Sequence, residues 1–200
     1  MKRIMMKRIM MKRIIIDQEK CDGCKNCSIA CMQAHREGSA SPLGSRDGIR
    51  GTIYDLDLLD PKNEARHAIV NNGRGGYVPV FCRHCAEPEC VTACMSGALK
   101  KETATGHVQY DEKRCGACFM CVMSCPYGNI KPDRVSRTKI IKCDFCKDAC
   151  LASDAYPASD SKAASDVIRV SDGGGDPNCV KLCPKKAIHV EEINAGGIAV

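Results

Sequence analysis

Sixteen of the 17 cysteines in this chain fall into four groups with short, regular spacings, and this pattern limits the possible folds more than any other feature. Three groups are continuous, with the spacings Cys21-x2-Cys24-x2-Cys27-x3-Cys31, Cys82-x2-Cys85-x4-Cys90-x3-Cys94 and Cys115-x2-Cys118-x2-Cys121-x3-Cys125. The fourth group is split into Cys143-x2-Cys146 and Cys179-x3-Cys183. The 200 residues include only 3 Phe, 5 Tyr and no Trp, so large residues for a core are scarce. Bound metal is the natural substitute for such a core.

The spacing of the cysteines disfavours a disulfide framework. Their number is odd and most lie two or three residues apart, so bridges within a pair would close very small loops and would not join distant segments. No apolar run approaches the roughly 18 residues of a membrane-spanning helix, and the N-terminus lacks the pattern of a signal peptide. We therefore expect a cytoplasmic protein whose reduced thiols are metal ligands.

The run C-x2-C-x2-C-x3-C is typical of iron–sulfur binding. Three closely spaced sulfurs wrap three corners of one [4Fe-4S] cluster, and the fourth cysteine enters a helical turn and reaches a second cluster. The groups are therefore expected to work in pairs and to hold four [4Fe-4S] clusters. Tetrahedral zinc is an alternative, but it uses two separated C-x2-C pairs and would leave the later cysteines of each run without a role.

The segments that flank the cysteine groups repeat as well. Residues 14–21 and 108–115 both consist of a short apolar strand, an Asp, polar residues, a cation and the first cysteine of a group. Residues 97–100 and 186–190, which follow the last cysteines, are again strand-like. Strand, cysteine loop, short helix and strand form the half-unit of a bacterial ferredoxin.

The order of the groups resembles that of a known family. The x4 step in the second group and the long gap in the fourth are similar to those of the four-cluster, ferredoxin-like electron-transfer subunits of molybdenum and tungsten oxidoreductases, formate-linked hydrogenases and carbon monoxide dehydrogenase systems. Phe81–Cys85, Cys90–Leu99 and Cys115–Gly128 look most like the iron–sulfur subunit that serves carbon monoxide dehydrogenase. Similar subunits accompany tungsten aldehyde oxidoreductases. The resemblance covers about residues 11–192.

This resemblance implies an α+β fold of two intertwined bacterial-ferredoxin-like 2[4Fe-4S] modules, with a β-hairpin insertion and a long loop. The first cysteine group pairs with the fourth in that family, and the second with the third. The implied ligand sets are Cys21, Cys24, Cys27 and Cys183; Cys31, Cys143, Cys146 and Cys179; Cys82, Cys85, Cys90 and Cys125; and Cys94, Cys115, Cys118 and Cys121.

The chain divides accordingly into segments. Besides the two modules, we expect a basic tail, a strand and hairpin insertion, a loop inside the first module and a short C-terminal tail. The boundaries are 1–13 for the basic tail, 14–35 with 139–192 for the discontinuous first module, 147–178 for its loop, 36–80 for the strand and hairpin insertion, 81–138 for the second module and 193–200 for the C-terminal tail. Within the insertion, alternation over 54–58 predicts a half-buried strand, and 67–70 with 77–81 predict a hairpin. In the loop, Val167–Val170 is a candidate strand.

Some residues depart from the family pattern or have no place in it. Cys150, the seventeenth thiol, competes with Cys179 as a ligand, and we favour Cys179 because Cys179-x3-Cys183-Pro184 matches a ferredoxin tail. Met95 follows Cys94 where many relatives have Pro, so we expect a looser chain there. His84, between two cysteines, is either a hydrogen-bond donor to cluster sulfur or a solvated neighbour.

The formal charge of +6 comes from the N-terminus alone. Residues 1–13 hold six Lys and Arg and no acid, so residues 14–200 carry 24 basic and 24 acidic groups and nucleic acid is not an expected partner. The repeated MKRIM is typical of a redundant translation start, or of a basic arm that docks on an acidic protein or a membrane surface. An oxidised cluster with four thiolates adds about −2, so four of them would make the protein acidic.

We find no combination of nucleophile, base and orienting group, so electron transfer is the expected chemistry and the chain is expected to be non-catalytic. The resemblance implies that it accepts electrons from a catalytic partner, foremost a carbon monoxide dehydrogenase, and passes them to a hydrogenase or a flavin-dependent NAD(P) oxidoreductase within a hetero-oligomer. Service to a tungsten aldehyde oxidoreductase is the alternative. Two other classes of function are a scaffold that assembles into a homo-oligomer or filament, and an enzyme in its own right.

Overall fold

The chain forms short helices and two-stranded antiparallel sheets around its cysteine groups. The computed structural model describes residues 10–35, 57–147 and 176–194. Four helices in these segments each begin at the residue before a cysteine, and they span Asn26–His35 (α1), Glu89–Thr92 (α2), Met120–Ser124 (α3) and Asn178–Lys181 (α4). This architecture confirms the predicted mixture of short helices and strands.

The longest sheet joins the two ends of the described chain. Strand β1 (Met10–Ile16) pairs antiparallel with β8 (Ile188–Asn194), so that Ile16 lies opposite Ile188. The predicted strands at 14–16 and 186–190 are thus confirmed in outline, with shifted bounds.

Part of the predicted basic tail is wrong, because residues 10–13 belong to β1. The run of cations without acids suggested a tail, but the acids that face these cations belong to β8. Lys12 lies opposite Glu192 and Arg13 lies opposite Glu191 in the register. Met11 is 2% exposed and packs over Gly106, where a side chain would overlap it. Residues 193–194 of the predicted C-terminal tail likewise lie in β8.

The predicted hairpin is confirmed. Strands β2 (Ala68–Asn71) and β3 (Tyr77–Val80) pair antiparallel, and the Asn72 side chain accepts hydrogen bonds from the backbone N–H groups of Arg74 and Gly76 in the turn. The predicted strand over 54–58 is wrong in its described part, because Leu58 lies in a turn and is 56% exposed. The alternation of apolar and polar residues does not by itself distinguish a strand from a polar turn that contains two apolar residues.

Two further sheets lie in the second half of the chain. Strands β4 (Leu99–Lys101) and β5 (Val108–Tyr110) pair antiparallel and connect the second cysteine group to the third. A 3-10 turn at Glu112–Arg114 follows. The short strands β6 (Lys131–Pro132) and β7 (Ile140–Ile141) pair beyond the third group.

Thiols take the place of large side chains in both apolar cores. Helix α1 packs on α4 and α2 packs on α3. One core contains Cys27 and Cys179 beside Phe81, Ala187 and Ile188. The other contains Cys121 beside aliphatic residues, namely Leu99, Val108, Ile130 and Ile140.

Aromatic rings and a buried lysine connect segments that belong to different cysteine groups. His107 stacks on Phe145 with ring centroids 4.2 Å apart, and its Nε2 lies 3.1 Å from the carbonyl of Lys12 in β1. Lys142 is 4% exposed and donates to the carbonyls of Val108 and Cys143. These contacts connect β1, β5 and the fourth cysteine group.

Several predicted features lie outside the described residues: residues 1–9, Tyr54 and Leu56, Cys150, and the candidate strand Val167–Val170. Within 10–35, 57–147 and 176–194, every helix is too short or too polar to cross a bilayer.

Candidate metal centres formed by the cysteine groups

Each group opens with the same backbone turn. The residue two positions after the first cysteine has a positive φ in all four cases: Gly23 (74°), His84 (43°), Ala117 (52°) and Phe145 (62°). Alternating left- and right-handed residues turn successive N–H groups toward one point and make a concavity that binds anions. A metal–thiolate centre with net negative charge fits such a concavity.

A second repeated turn follows three of the last cysteines. The backbone N–H groups of Gly97, Gly128 and Lys186 donate to the carbonyls of Cys94, Cys125 and Cys183, each at 3.1 Å. The turn after Cys94 therefore matches the other two although Met95 replaces Pro. The hydrogen bond thus forms without Pro, and the looser chain expected at Met95 stays a prediction.

The structure brings four cysteines together at the edge of α1 and α4, and we call this site 1. Cys21, Cys24, Cys27 and Cys183 line one small cavity. Burial raises the pKa of the Cys27 thiol to about 11, and the nearby Cys24 and Cys183 thiols add to the rise. Cys24 is exposed, so site 1 reaches the surface.

Site 2 comprises Cys31, Cys143, Cys146 and Cys179, and three of these cysteines are 4–5% exposed. Burial raises the pKa of Cys179, and the proximity of the other three thiols raises it further. Burial also tends to raise the pKa of Cys31, but hydrogen bonds from His35 and His67 outweigh it and lower that pKa to about 6.

Site 3 comprises Cys82, Cys85, Cys90 and Cys125, which line one cavity together with His84. Burial is the main reason that the pKa of Cys90 rises to about 11, and the other three thiols of the site contribute. The pKa of Cys85 is also raised, by burial and then by Cys82.

Site 4 comprises Cys94, Cys115, Cys118 and Cys121. Burial raises the pKa of Cys121 to about 11, and the other three thiols add to the rise. The backbone N–H of Leu99 donates to the Cys94 sulfur at 3.4 Å. Cys118 is exposed, so site 4 also reaches the surface.

The donor chemistry of the four sites fits iron–sulfur clusters. Every site offers four thiols, and site 2 also has His35 and Asp144 close to the Cys146 sulfur. The buried thiols with raised pKa values hold their protons at neutral pH, so metal binding has to displace those protons. The ring Nε2 of His84, beside site 3, is buried and has no hydrogen-bond partner among the described residues. An unsatisfied buried donor costs about 1–3 kcal/mol, and sulfur of a bound centre would satisfy it.

An ion network surrounds site 2, and no sequence pattern indicated it because its members are far apart in the chain. Asp144 lies 3.1 Å from His35 Nε2 and 2.8 Å from Arg66 Nη1. The backbone N–H of Arg66 donates to the Cys31 sulfur at 3.3 Å. Burial tends to lower the pKa of His35, but Asp144 and the hydrogen bond with the Cys31 thiol outweigh burial and raise that pKa to about 9.

We expect Asp144→Asn to lower the free energy of unfolding by about 2 kcal/mol. The substitution leaves Arg66 and His35 without their carboxylate, and the effect is smaller than that of a fully buried pair because Asp144 and Arg66 are 27% and 28% exposed. Urea denaturation of the iron-loaded chain measures the change. The control is Lys20→Gln, which breaks the exposed ion pair with Asp17 and should leave the denaturation midpoint unchanged. Equal effects of the two variants would contradict a structural role for the network.

We expect Gly23→Ala, in site 1, to lower the free energy of unfolding more than Gly73→Ala does. A Cβ on Gly23 would overlap the Tyr77 ring, whereas a Cβ on Gly73 meets nothing within 4 Å, and the two glycines have nearly the same φ (74° and 73°). Gly73→Ala should therefore cost about 1 kcal/mol for its left-handed backbone. Gly23→Ala should cost about 1–3 kcal/mol more for the overlap. The difference between the two unfolding free energies isolates the contact between Gly23 and Tyr77, and a difference of zero would exclude it.

The chain is similar to known iron–sulfur proteins. Residues 74–172 match the family described as 4Fe-4S dicluster domain. The chain is 31% identical over 191 residues to a protein named "Iron-sulfur protein" from Rhodospirillum rubrum, with 91% of this chain and 83% of the relative covered. It is 30% identical over 178 residues to one component of the anaerobic dimethyl sulfoxide reductase of Haemophilus influenzae, with 89% and 72% covered. It is also 29% identical over 185 residues to hydrogenase-2 operon protein HybA of Escherichia coli O157:H7, of which it spans about half (87% and 49% covered).

Proposed function

Because this chain belongs to a family of iron–sulfur subunits of oxidoreductases that contain 4Fe-4S dicluster domains, we propose that it is an electron-transfer subunit with four [4Fe-4S] clusters. The observation that supports the proposal is that sixteen cysteines lie in four groups of neighbouring thiols. We assign one cluster to each of sites 1 to 4, with the ligand sets defined above. A bound cluster would supply one-electron transfer. Reduced thiols at all sixteen positions fit a reducing compartment such as the cytoplasm.

The chain connects the sites in a fixed order. Cys27 of site 1 and Cys31 of site 2 lie one turn apart on α1, and Cys179 and Cys183 link the same two sites through α4. Helices α2 and α3 link sites 3 and 4 in the same way, through the pairs Cys90–Cys94 and Cys121–Cys125. These crossed links support the proposal of two ferredoxin-like modules, the first of them discontinuous.

Sites 2 and 3 lie at one of the contacts between the modules. Burial raises the pKa of Cys143 in site 2, and the nearby Cys82 thiol of site 3 contributes to the rise. Sites 2 and 3 are therefore neighbours, and the order along the protein is 1, 2, 3, 4. Exposed Cys24 and Cys118 lie at the two ends of this order, which supports a relay with one partner at each end.

We propose carbon monoxide dehydrogenase as the electron donor, and a hydrogenase or a flavin-dependent NAD(P) oxidoreductase as the acceptor. The support is the sequence of Phe81–Cys85, Cys90–Leu99 and Cys115–Gly128, which resembles that of the iron–sulfur subunit that serves carbon monoxide dehydrogenase. A tungsten aldehyde oxidoreductase is the alternative donor.

Anaerobic mixing experiments distinguish these donors. The iron-loaded chain is combined with catalytic amounts of carbon monoxide dehydrogenase and carbon monoxide, or of a tungsten aldehyde oxidoreductase and an aldehyde, and reduction is followed by loss of the visible iron–sulfur absorption. We expect rapid reduction with carbon monoxide and slow reduction with the aldehyde. Omission of the enzyme controls for direct reduction by substrate. Faster reduction by the tungsten enzyme would reverse the assignment, and clusters that no donor reduces would favour a scaffold.

A further inference from the structure

His84 is a buried ring at the wall of site 3. It lies between Cys82 and Cys85, is 3% exposed and lines the cavity that the site 3 thiols share. Its left-handed backbone (φ 43°) belongs to the turn repeated in all four cysteine groups, so its position is fixed by the same backbone geometry that places the ligands.

The structure also determines which ring nitrogen of His84 carries the hydrogen. The backbone N–H of Val108 donates to Nδ1 at 3.0 Å, and only an unprotonated ring nitrogen accepts such a bond. The hydrogen of the neutral ring is therefore on Nε2. Val108 is itself 2% exposed in β5, so this tautomer is held from within the core.

The Nε2–H group has no protein acceptor among the described residues. Its ring neighbours are His107, at 4.9 Å between centroids, and the edge-on ring of Phe145, at 6.0 Å. His107 uses its own Nε2 at the carbonyl of Lys12, so it does not satisfy His84. His84 lines the cavity that the site 3 thiols share, so a centre bound there would offer sulfur atoms as acceptors beside this ring.

We propose that His84 is a positioning residue of site 3 that donates its Nε2–H to a sulfur atom of the bound centre and thereby raises the reduction potential of that centre. The inference rests on the proposed function, because it requires a cluster at site 3. Reduction makes the centre more negative, and a donor directed at its sulfur stabilises that form. Removal of the donor should therefore make site 3 harder to reduce while sites 1, 2 and 4 are unchanged.

The test compares the full-length chain with the variants His84→Phe and His84→Gln, each loaded with iron and sulfide anaerobically and titrated with electron paramagnetic resonance detection. Phe keeps the ring volume without a donor, and Gln offers an amide N–H at a position similar to Nε2. We expect His84→Phe to lower the equilibrium constant for one-electron reduction of one centre about tenfold, which is about 59 mV. His84→Gln should recover most of this change.

The control is His107→Phe, which alters the neighbouring ring but not the proposed donor, and it should leave every potential unchanged. Unchanged potentials in His84→Phe, with full iron content, would overturn the inference and leave the proposed function intact. A wild-type chain that binds no clusters would instead overturn the proposed function. If His84→Phe loses iron, the same question is put to the wild-type chain labelled with 15N-histidine. We expect the magnetic resonance spectrum of a reduced centre to show a coupling to a histidine ring nitrogen, and absence of this coupling would overturn the inference.

Discussion

We expect that removal of iron from this protein by a strong chelator, under anaerobic and reducing conditions, unfolds most of the part of the chain that the structure describes. Both apolar cores are built around thiols: Cys27 and Cys179 occupy one, and Cys121 occupies the other. The aliphatic residues beside them are few, and only one aromatic side chain, Phe81, is among the buried members of these two cores. Structural metal sites contribute on the order of 10 kcal/mol to folding, so loss of the four proposed clusters would exceed the stability of an ordinary domain.

Circular dichroism and amide hydrogen exchange measure this outcome. We expect the iron-free chain to lose its cooperative unfolding transition and to exchange its backbone hydrogens rapidly, and iron with sulfide to restore both. Zinc alone serves as the control, because a tetrahedral zinc protein would refold with it. An iron-free chain that keeps a sharp unfolding transition would show that the cores do not depend on metal.

Cys179→Ser should remove one whole centre, whereas Cys150→Ser should remove none. Cys179 is 5% exposed, and its thiol lies near Cys31, Cys143 and Cys146. Serine is a poor ligand for cluster iron, so we expect the variant to lose about four iron atoms per chain. Cys150, which lies outside the described residues, has no assigned place in sites 1 to 4.

Iron analysis of the two variants, purified anaerobically, gives the result directly. Cys150→Ser is the matched control, since it makes the same chemical change within the same split group. Full iron in Cys179→Ser, with loss in Cys150→Ser, would transfer the ligand role to Cys150. Equal losses in both would indicate that either change disturbs the whole of site 2.

Local patterns predicted the hairpin and the strands beside the cysteine groups, because each depends on residues close in sequence. Ala68–Asn71 and Tyr77–Val80 flank a glycine-rich turn, and Val108–Tyr110 is a short apolar run ahead of a cysteine. The ligand grouping was predicted through family resemblance, and the structure brings the same cysteines near one another. The number of bound clusters stays a prediction.

Local sequence patterns do not predict other features of the structure. Ala117 and Phe145 have left-handed backbones although neither residue type prefers them, so only the constraint of the whole cysteine loop fixes their conformation. The ion pair of Asp144 with His35 joins segments 109 residues apart, and no local signal marks it. Residues 10–13 were misassigned because the acids opposite them lie at the other end of the chain.

The pairing of β1 with β8 has a consequence for how the protein is made. All cysteines of sites 3 and 4 have been translated once the ribosome passes Cys125. Site 2 is complete only after Cys179, and site 1 only after Cys183. At a synthesis rate of 5–20 residues per second, this delay is about 3–12 s. Sites 3 and 4 are thus able to take up metal while Cys179 and Cys183 are still to be translated, and β8 pairs with β1 only after all sixteen cysteines have been made.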